Sequence, residues 1–213
     1  MRIPNHVGII PDGNRRWAVS AGLTKQEGYR YGLDPGLEFM KLARDYGIHE
    51  LTYYGFTTDN CKRPKEQIES FVQACVDAVR LIEGEDVSLL VVGNTDSEMF
   101  PDALLKYTRR TEPDKSRFKV NFLVNYGWEW DLSDIDCMTR NRKKITECLK
   151  TKDISRVDLI IRWGGRKRLS GFLPVQSVYA DFFTIDDMWP DFKPEHFYAA
   201  MDWYCGQDVT LGG

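Results

Sequence analysis

Residues 8–17, GIIPDGNRRW, read as the end of a buried strand, a break at Asp12-Gly13-Asn14, and the first turn of a helix that carries Arg15 and Arg16 side by side. A strand that passes through a short glycine turn into a helix opens a β–α unit, the building block of sheets whose strands run parallel. Electrostatics disfavours the two arginines where they stand. A helix N-terminus bears partial positive charge and unsatisfied N–H groups, so acidic residues belong there. The turn therefore raises the question of what compensates Arg15 and Arg16.

Outward from this stretch, short apolar runs alternate with longer segments of helical period, the pattern of a mostly parallel sheet covered by helices. The strand candidates are HVGII, ELTYYGF, VSLLVVG, FKVNFLVN, VDLIIRW and ADFFTI. PGLEFMKLARDYGI sets Leu37, Met40, Leu42 and Ala43 near one face and ends at a glycine suited to a C-cap. EQIESFVQACVDAVRLIEG does the same with Ile68, Phe71, Cys75, Val79 and Ile82, and both stripes read as core-facing. No low-complexity linker interrupts the chain, so residues 1–213 read as one α/β domain.

Lys and Arg total 29 against 32 Asp and Glu, a net charge of −3, which gives no support to nucleic-acid binding through bulk charge. The polar stretch containing TRNRKK has no interleaved aromatics and reads as a solvated segment. The five cysteines lack CxxC spacing and read as reduced thiols of a cytoplasmic protein. No segment has the length of a transmembrane span.

A second basic turn follows another strand. In DLIIRWGGRKRLSGF, Arg162, Arg166, Lys167, Arg168 and Ser170 crowd around Gly164 and Gly165. In open α/β sheets ligands bind beyond the carboxyl ends of the strands, so the two basic turns are expected to face one crevice. Arginines there match diphosphate oxygens, and Gly13 lets backbone N–H groups approach an anion. GFTTDNCKRP adds Thr57, Asn60 and Arg63 at a third strand end, with a turn cap as the other reading of Asn60. Asp12 and Asp181 are the carboxylates that matter most: an Asp among arginines reads either as an ion-pair partner or as a ligand of Mg²⁺, which favours one or two carboxylates plus phosphate oxygens and water. Nothing matches a zinc site, a Walker A loop, GxGxxG or a Ser-His-Asp set.

HVGIIPDGNRRWA, YYGFTTDNCKRP, VNYGWEWD, IIRWGGRKRLSGFLP and VYADFF…WPDF together resemble the cis-prenyltransferases, the undecaprenyl diphosphate synthase family, in order and over nearly the whole chain. The resemblance implies a six-stranded, mainly parallel sheet, a homodimer or related heteromer, Mg²⁺, and an apolar tunnel for an isoprenoid tail. It implies that residues 12–16 wrap an allylic diphosphate, with Asp12 serving the metal and the diphosphate compensating the arginines. It places Asn14 and Asn60 near the reacting carbon, Arg16 and Arg63 on diphosphate, and Trp17 and Phe56 beside the tail. Arg162, Arg168 and Ser170 then hold the second diphosphate, and Asp181 belongs to the metal.

Several positions depart from the family pattern. Lys25, Tyr29, Asp59 and Cys61 replace the usual Arg, His, Glu and Trp, and Arg166 and Lys167 stand at positions commonly Glu and His. The usual C-terminal RxG reads Thr210-Leu211-Gly212. The block RWGGRKRLSGFLP resembles the irregular, lavandulyl-type branch, in which two allylic diphosphates couple head to middle, with Arg166 and Lys167 taking over the missing contact. The expected substrates are dimethylallyl, geranyl or farnesyl diphosphate. Isopentenyl diphosphate in regular head-to-tail condensation, or a role as one subunit of a heteromeric synthase, stays open. Trp128 and Phe122 are expected to shorten the tunnel, giving a short product, and transient membrane contact stays open for an apolar product.

Overall fold

The computed structural model describes residues 2–113, 117–135 and 142–208. Strands β1 (His6–Ile10), β2 (Glu50–Tyr54), β3 (Ser88–Val92), β4 (Lys119–Leu123), β5 (Leu159–Arg162) and β6 (Asp181–Thr184) form one sheet in the order β3-β4-β2-β1-β5-β6. All six sequence-predicted strands are present, and every neighbouring pair is parallel, so the sheet is wholly rather than mainly parallel. Both faces are covered, which is why β1 and β3 are buried at every residue and read as continuous apolar runs.

The helices are α1 (Asn14–Ser20), α2 (Leu33–Tyr46), α3 (Lys65–Glu83), α4 (Trp128–Asp131), α5 (Arg142–Glu147) and α6 (Pro194–Cys205). Gly47 caps α2 in the left-handed conformation at φ 96°, as its sequence predicts. Phe39, on α2, is fully buried and meets the rings of Trp163, Trp189, Phe192 and Phe197. Burying a ring of this size contributes about 1.5–3 kcal/mol, and here it ties α2 and α6 to the segments that follow β5 and β6. The basic segment TRNRKK straddles the start of α5, and residues 139–141 of it lie outside the described residues.

At the amino edge of the sheet a polar network is sealed between strands. The His6 ring bonds the Thr52 hydroxyl at 2.8 Å and the Ser155 carbonyl at 3.0 Å. Asn121 donates to Glu50 at 2.8 Å and to Thr52 at 2.9 Å, and Arg110 donates to Asn121 at 2.7 Å. Burial pushes the His6 imidazole below its ordinary value. Burial alone would raise Glu50, but His6 and the bonds from Asn121 and Ser155 outweigh it and hold the carboxyl low.

The carboxyl edge carries the opposite design. From β1 the chain lays β2, β3 and β4 on one side, β4 falling between β2 and the edge strand β3, then returns to lay β5 and β6 on the other. The crevice outside such a reversal is where open parallel sheets bind ligands. Ile10 and Arg162, in register across β1 and β5, lead into it.

Candidate active site

Gly13 opens α1 at φ 108°, where a side chain is strained, and a Cβ there would lie 2.8 Å from that of Met188. No side chain caps this helix and its first turn has no acid. The chain itself supplies part of the compensation that the arginines require. Arg16 Nη2 donates to the Gly164 carbonyl at 2.9 Å and stands 3.7 Å from Asp12 Oδ1, while Arg15 Nη1 donates to Gln67 Oε1 at 3.3 Å. Gly164, at φ 80°, leaves room for the Arg16 guanidinium where any Cβ would collide with it.

Arg162, the last residue of β5, is only 4% exposed. It donates to Asp12 Oδ2 at 2.8 Å, to Ser170 Oγ at 2.9 Å and to the Arg168 carbonyl. One buried guanidinium thus joins the turn after β1 to the turn after β5. Arg63 Nη1 donates to Tyr29 Oη at 3.0 Å, and the Tyr29 ring stacks on Phe71 with centroids 4.4 Å apart. Burial raises the Tyr29 phenol, so it faces Arg63 as a neutral acceptor at physiological pH.

Two adjoining cavities result. A basic chamber of about 580 Å³ is lined by Arg15, Arg16, Lys25, Arg63, Arg166 and Arg168, with Asp12 as the only carboxylate among the described residues that line it. An apolar cleft of about 80 Å³ runs between α2 and α3, lined by Leu33, Leu37, Tyr53, Phe71, Ala74, Cys75, Ala78, Leu81, Ile82 and Phe122 among others. Pro11, Asn14, Tyr29 and Phe71 line both. Asn14 Nδ2 donates to the Pro11 carbonyl at 2.8 Å, and its buried Oδ1 has no partner among the described residues at this seam. A molecule with a polyanionic head and a short hydrocarbon tail fits such a pair of spaces.

Most of the sequence-predicted residues converge here: Asp12, Gly13, Asn14, Arg15, Arg16, Lys25, Tyr29, Arg63, Arg166 and Arg168 line the chamber. Arg162 and Ser170 lie beside it and hold Asp12 and the turn in place. Several others stand elsewhere. Lys167 is exposed and does not line the chamber, so of the Arg166–Lys167 pair only the arginine faces it. Phe56 is fully buried behind Phe71, with ring centroids 5.6 Å apart, and lines neither cavity. Thr57 and Asn60 close the 3₁₀ turn Thr58–Lys62 as a capping box, with the Thr57 N–H donating to Asn60 Oδ1 at 3.1 Å. Trp17 turns outward, donating to Asp191 at 2.7 Å and packing on Tyr31.

Asp181 stands apart from the chamber in this chain. It opens β6 level with Leu159, three residues or about 10 Å of strand short of the carboxyl edge, and it pairs with Arg2 at 3.3 Å. Within one chain Asp12 and Asp181 are not brought together. Trp128 requires a correction: it is 45% exposed and lies over Gly171, whereas Phe122 does line the cleft. Thr210-Leu211-Gly212 lies outside the described residues.

The cleft wall on α3 was read from sequence as plain core. The signal that distinguishes it is the small, half-buried residues Ala74 and Ala78 beside the buried stripe of α3, with Gly36 on α2, which leave space where larger side chains would fill it.

Among the described residues no group of three His, Cys, Asp or Glu side chains is placed to hold a metal. Asp12, one-third exposed, offers one carboxylate beside the basic chamber. That donor set fits Mg²⁺ held jointly with phosphate oxygens and water rather than by a protein cage. No helix among the described residues is long and apolar enough to cross a membrane.

Comparison with known proteins agrees with this architecture. The family model described as "Putative undecaprenyl diphosphate synthase" matches residues 10–212. An isoprenyl transferase of Thermotoga maritima is 34% identical over 231 residues, spanning 100% of this chain and 98% of its own. A ditrans,polycis-undecaprenyl-diphosphate synthase of Haemophilus ducreyi, (2E,6E)-farnesyl-diphosphate specific, is 31% identical, spanning 99% of this chain and 95% of that protein. The crystal structure of lavandulyl diphosphate synthase from Lavandula x intermedia, in complex with dimethylallyl diphosphate, superposes with a TM-score of 0.86 at 23% identity, over 99% of this chain and 98% of that one. The match along almost the full length shows that this chain belongs to the undecaprenyl diphosphate synthase family of cis-prenyltransferases.

Proposed function

We propose that this prenyltransferase couples two allylic diphosphates, dimethylallyl or longer, head to middle into a short branched product, with Mg²⁺ as its cofactor. The observation that carries the reading is that Arg166 and Arg168 line the same basic chamber as Arg15, Arg16, Lys25 and Arg63. One chain thus offers cationic walls for two diphosphates. The solved lavandulyl diphosphate synthase, bound to dimethylallyl diphosphate, shares the fold and lends the reading support.

In this reading Arg15, Arg16 and Arg63 take the leaving diphosphate, and the allylic carbon lies at the seam beside Asn14 and Tyr29. Breaking the carbon–oxygen bond sends its electron pair to the diphosphate and leaves an allyl-cation-like centre. Preorganised guanidinium groups stabilise the charge that develops on the leaving group. Asp12 would hold Mg²⁺ together with diphosphate oxygens, and the bound ion would supply further positive charge to the leaving group. The double bond of the second substrate, whose diphosphate lies against Arg166 and Arg168, attacks the cation, and loss of a proton completes the product. The Tyr29–Phe71 stack and the walls of the cleft keep water from the cation.

Short substrates fit the cleft. At about 80 Å³ the cleft is narrow, which favours short tails over many isoprene units. A homodimer is the assembly we propose, with cytoplasmic placement. Sedimentation of the purified protein tests the assembly.

The chemistry is tested by incubating the protein with Mg²⁺ and dimethylallyl diphosphate alone, then with isopentenyl diphosphate added, and identifying the dephosphorylated products by mass spectrometry and NMR. A branched product from the allylic substrate alone is expected. A linear product with a Z double bond, formed only when isopentenyl diphosphate is present, would overturn the head-to-middle reading. Activity only with an added partner subunit would make the chain part of a heteromer.

A further inference from the structure

One short segment touches both anion-binding turns. The N–H of Gly165 donates to the Ile185 carbonyl at 3.0 Å and that of Gly164 to the Asp187 carbonyl at 2.8 Å, while the Trp189 N–H donates to the Asp12 carbonyl at 3.0 Å. Residues 185–189 therefore strap the turn after β5 to the turn after β1. Gly164 is also the residue whose carbonyl holds Arg16.

The strap is fastened at its centre. His196 Nε2 lies 2.9 Å from Asp187 Oδ2, and its other ring nitrogen accepts from the Lys193 N–H at 3.3 Å. An accepting Nδ1 leaves the proton on Nε2, so the ring donates to the carboxylate. Neither side chain lines the basic chamber.

We propose that the Asp187–His196 pair is a positioning element for diphosphate binding: by anchoring the strap to the first turn of α6, it fixes the spacing between the Asp12 turn and the Gly164 turn, and so the span over which the two groups of arginines grip their anions. The proposal rests on the reading of the chamber as a diphosphate site.

Asp187 is the residue to change, because its side chain is 53% exposed and His196 also caps α6. Asp187→Ala removes the bond and leaves the backbone carbonyl that Gly164 uses. Asp187→Asn keeps an acceptor for His196. Binding of inorganic diphosphate is measured by calorimetry alongside Tm, kcat and the KM of each substrate.

The Ala variant is expected to weaken diphosphate binding and raise both KM values about two- to five-fold, the scale of an exposed charged hydrogen bond, with Tm and kcat unchanged. The Asn variant is expected to bind as wild type does. Equal affinity of wild type and the Ala variant would overturn the proposal, as would an equal loss in both variants or a loss matched by a lower Tm. Failure of the wild type to bind inorganic diphosphate would instead overturn the reading of the chamber.

Discussion

Arg162 Nη2 stands 2.8 Å from Asp12 Oδ2, so the ends of two adjacent strands are joined by one buried guanidinium. The same group reaches Ser170 and the Arg168 carbonyl, a fork that lysine does not have. Arg162→Lys is therefore expected to lose kcat/KM despite keeping its charge. Hydrogen bonds to charged groups contribute about 1.5–3 kcal/mol, which corresponds to a loss of roughly ten- to hundred-fold. On the proposed reading Arg16 meets the leaving diphosphate, so Arg16→Ala is expected to lower kcat by about 10²–10³. Steady-state kinetics checks both.

Arg166 and Lys167 are neighbours in sequence but not in role, since only Arg166 lines the basic chamber. Arg166→Ala should raise the KM of the acceptor substrate by about ten-fold, the scale of one charge-assisted bond. Lys167→Ala should leave both KM values within about two-fold, as exposed charges contribute little. A titration of each substrate at saturation of the other separates the two outcomes.

Product length should answer to Phe122 and ignore Trp128. Phe122 stacks on Tyr53 with centroids 5.1 Å apart at the wall of the apolar cleft, while Trp128 faces outward. Phe122→Ala opens the cleft and is expected to shift products toward longer tails when longer allylic substrates are supplied, read by mass spectrometry. Trp128→Gly is expected to leave the distribution unchanged.

The sealed network at the amino edge predicts an acid limb in stability. Burial holds the folded-state pKa of His6 below the value of about 6.5 that the unfolded chain has. Between those two values the unfolded state binds more protons, so stability falls as pH drops below about 6.5 and is retained above it. The difference in Tm between wild type and His6→Gln, followed from pH 7.5 to about 5, should shrink as the pH is lowered. A constant difference would mean that His6 does not titrate differently on folding.

The sheet was legible because its strands, the half-buried edge strand β6 apart, are buried almost throughout and flanked by turn residues, so HVGII and VSLLVVG stand out without any tertiary information. The basic chamber was legible for a related reason: arginines after a strand and a glycine are locally costly, and the cost marks the position. The separation of Asp181 from Asp12 within the chain was not legible, because residue type and motif do not reveal which end of a strand a side chain occupies. Being level with Leu159 rather than Arg162 is a matter of register, which is set by pairing across β5 and β6. The apolar cleft was hidden for the opposite reason. Phe71 and Cys75 have the period of core residues, and only the packing of α2 against α3 decides whether such a stripe meets another side chain or an open space.

The seam between β1 and β5 also governs when the protein can first recognise a ligand. Asp12 and Arg162 are 150 positions apart in the chain, and the residues between them form most of the sheet on the β2 side. The anion chamber cannot exist until the last third of the polypeptide has been laid against the first strand, and such long-range pairing is slow to form. If the chamber takes diphosphate as proposed, binding selects the finished molecule over every partly folded one, and inorganic diphosphate should act on refolding as a late trap, leaving early steps untouched and stabilising only the final state by mass action.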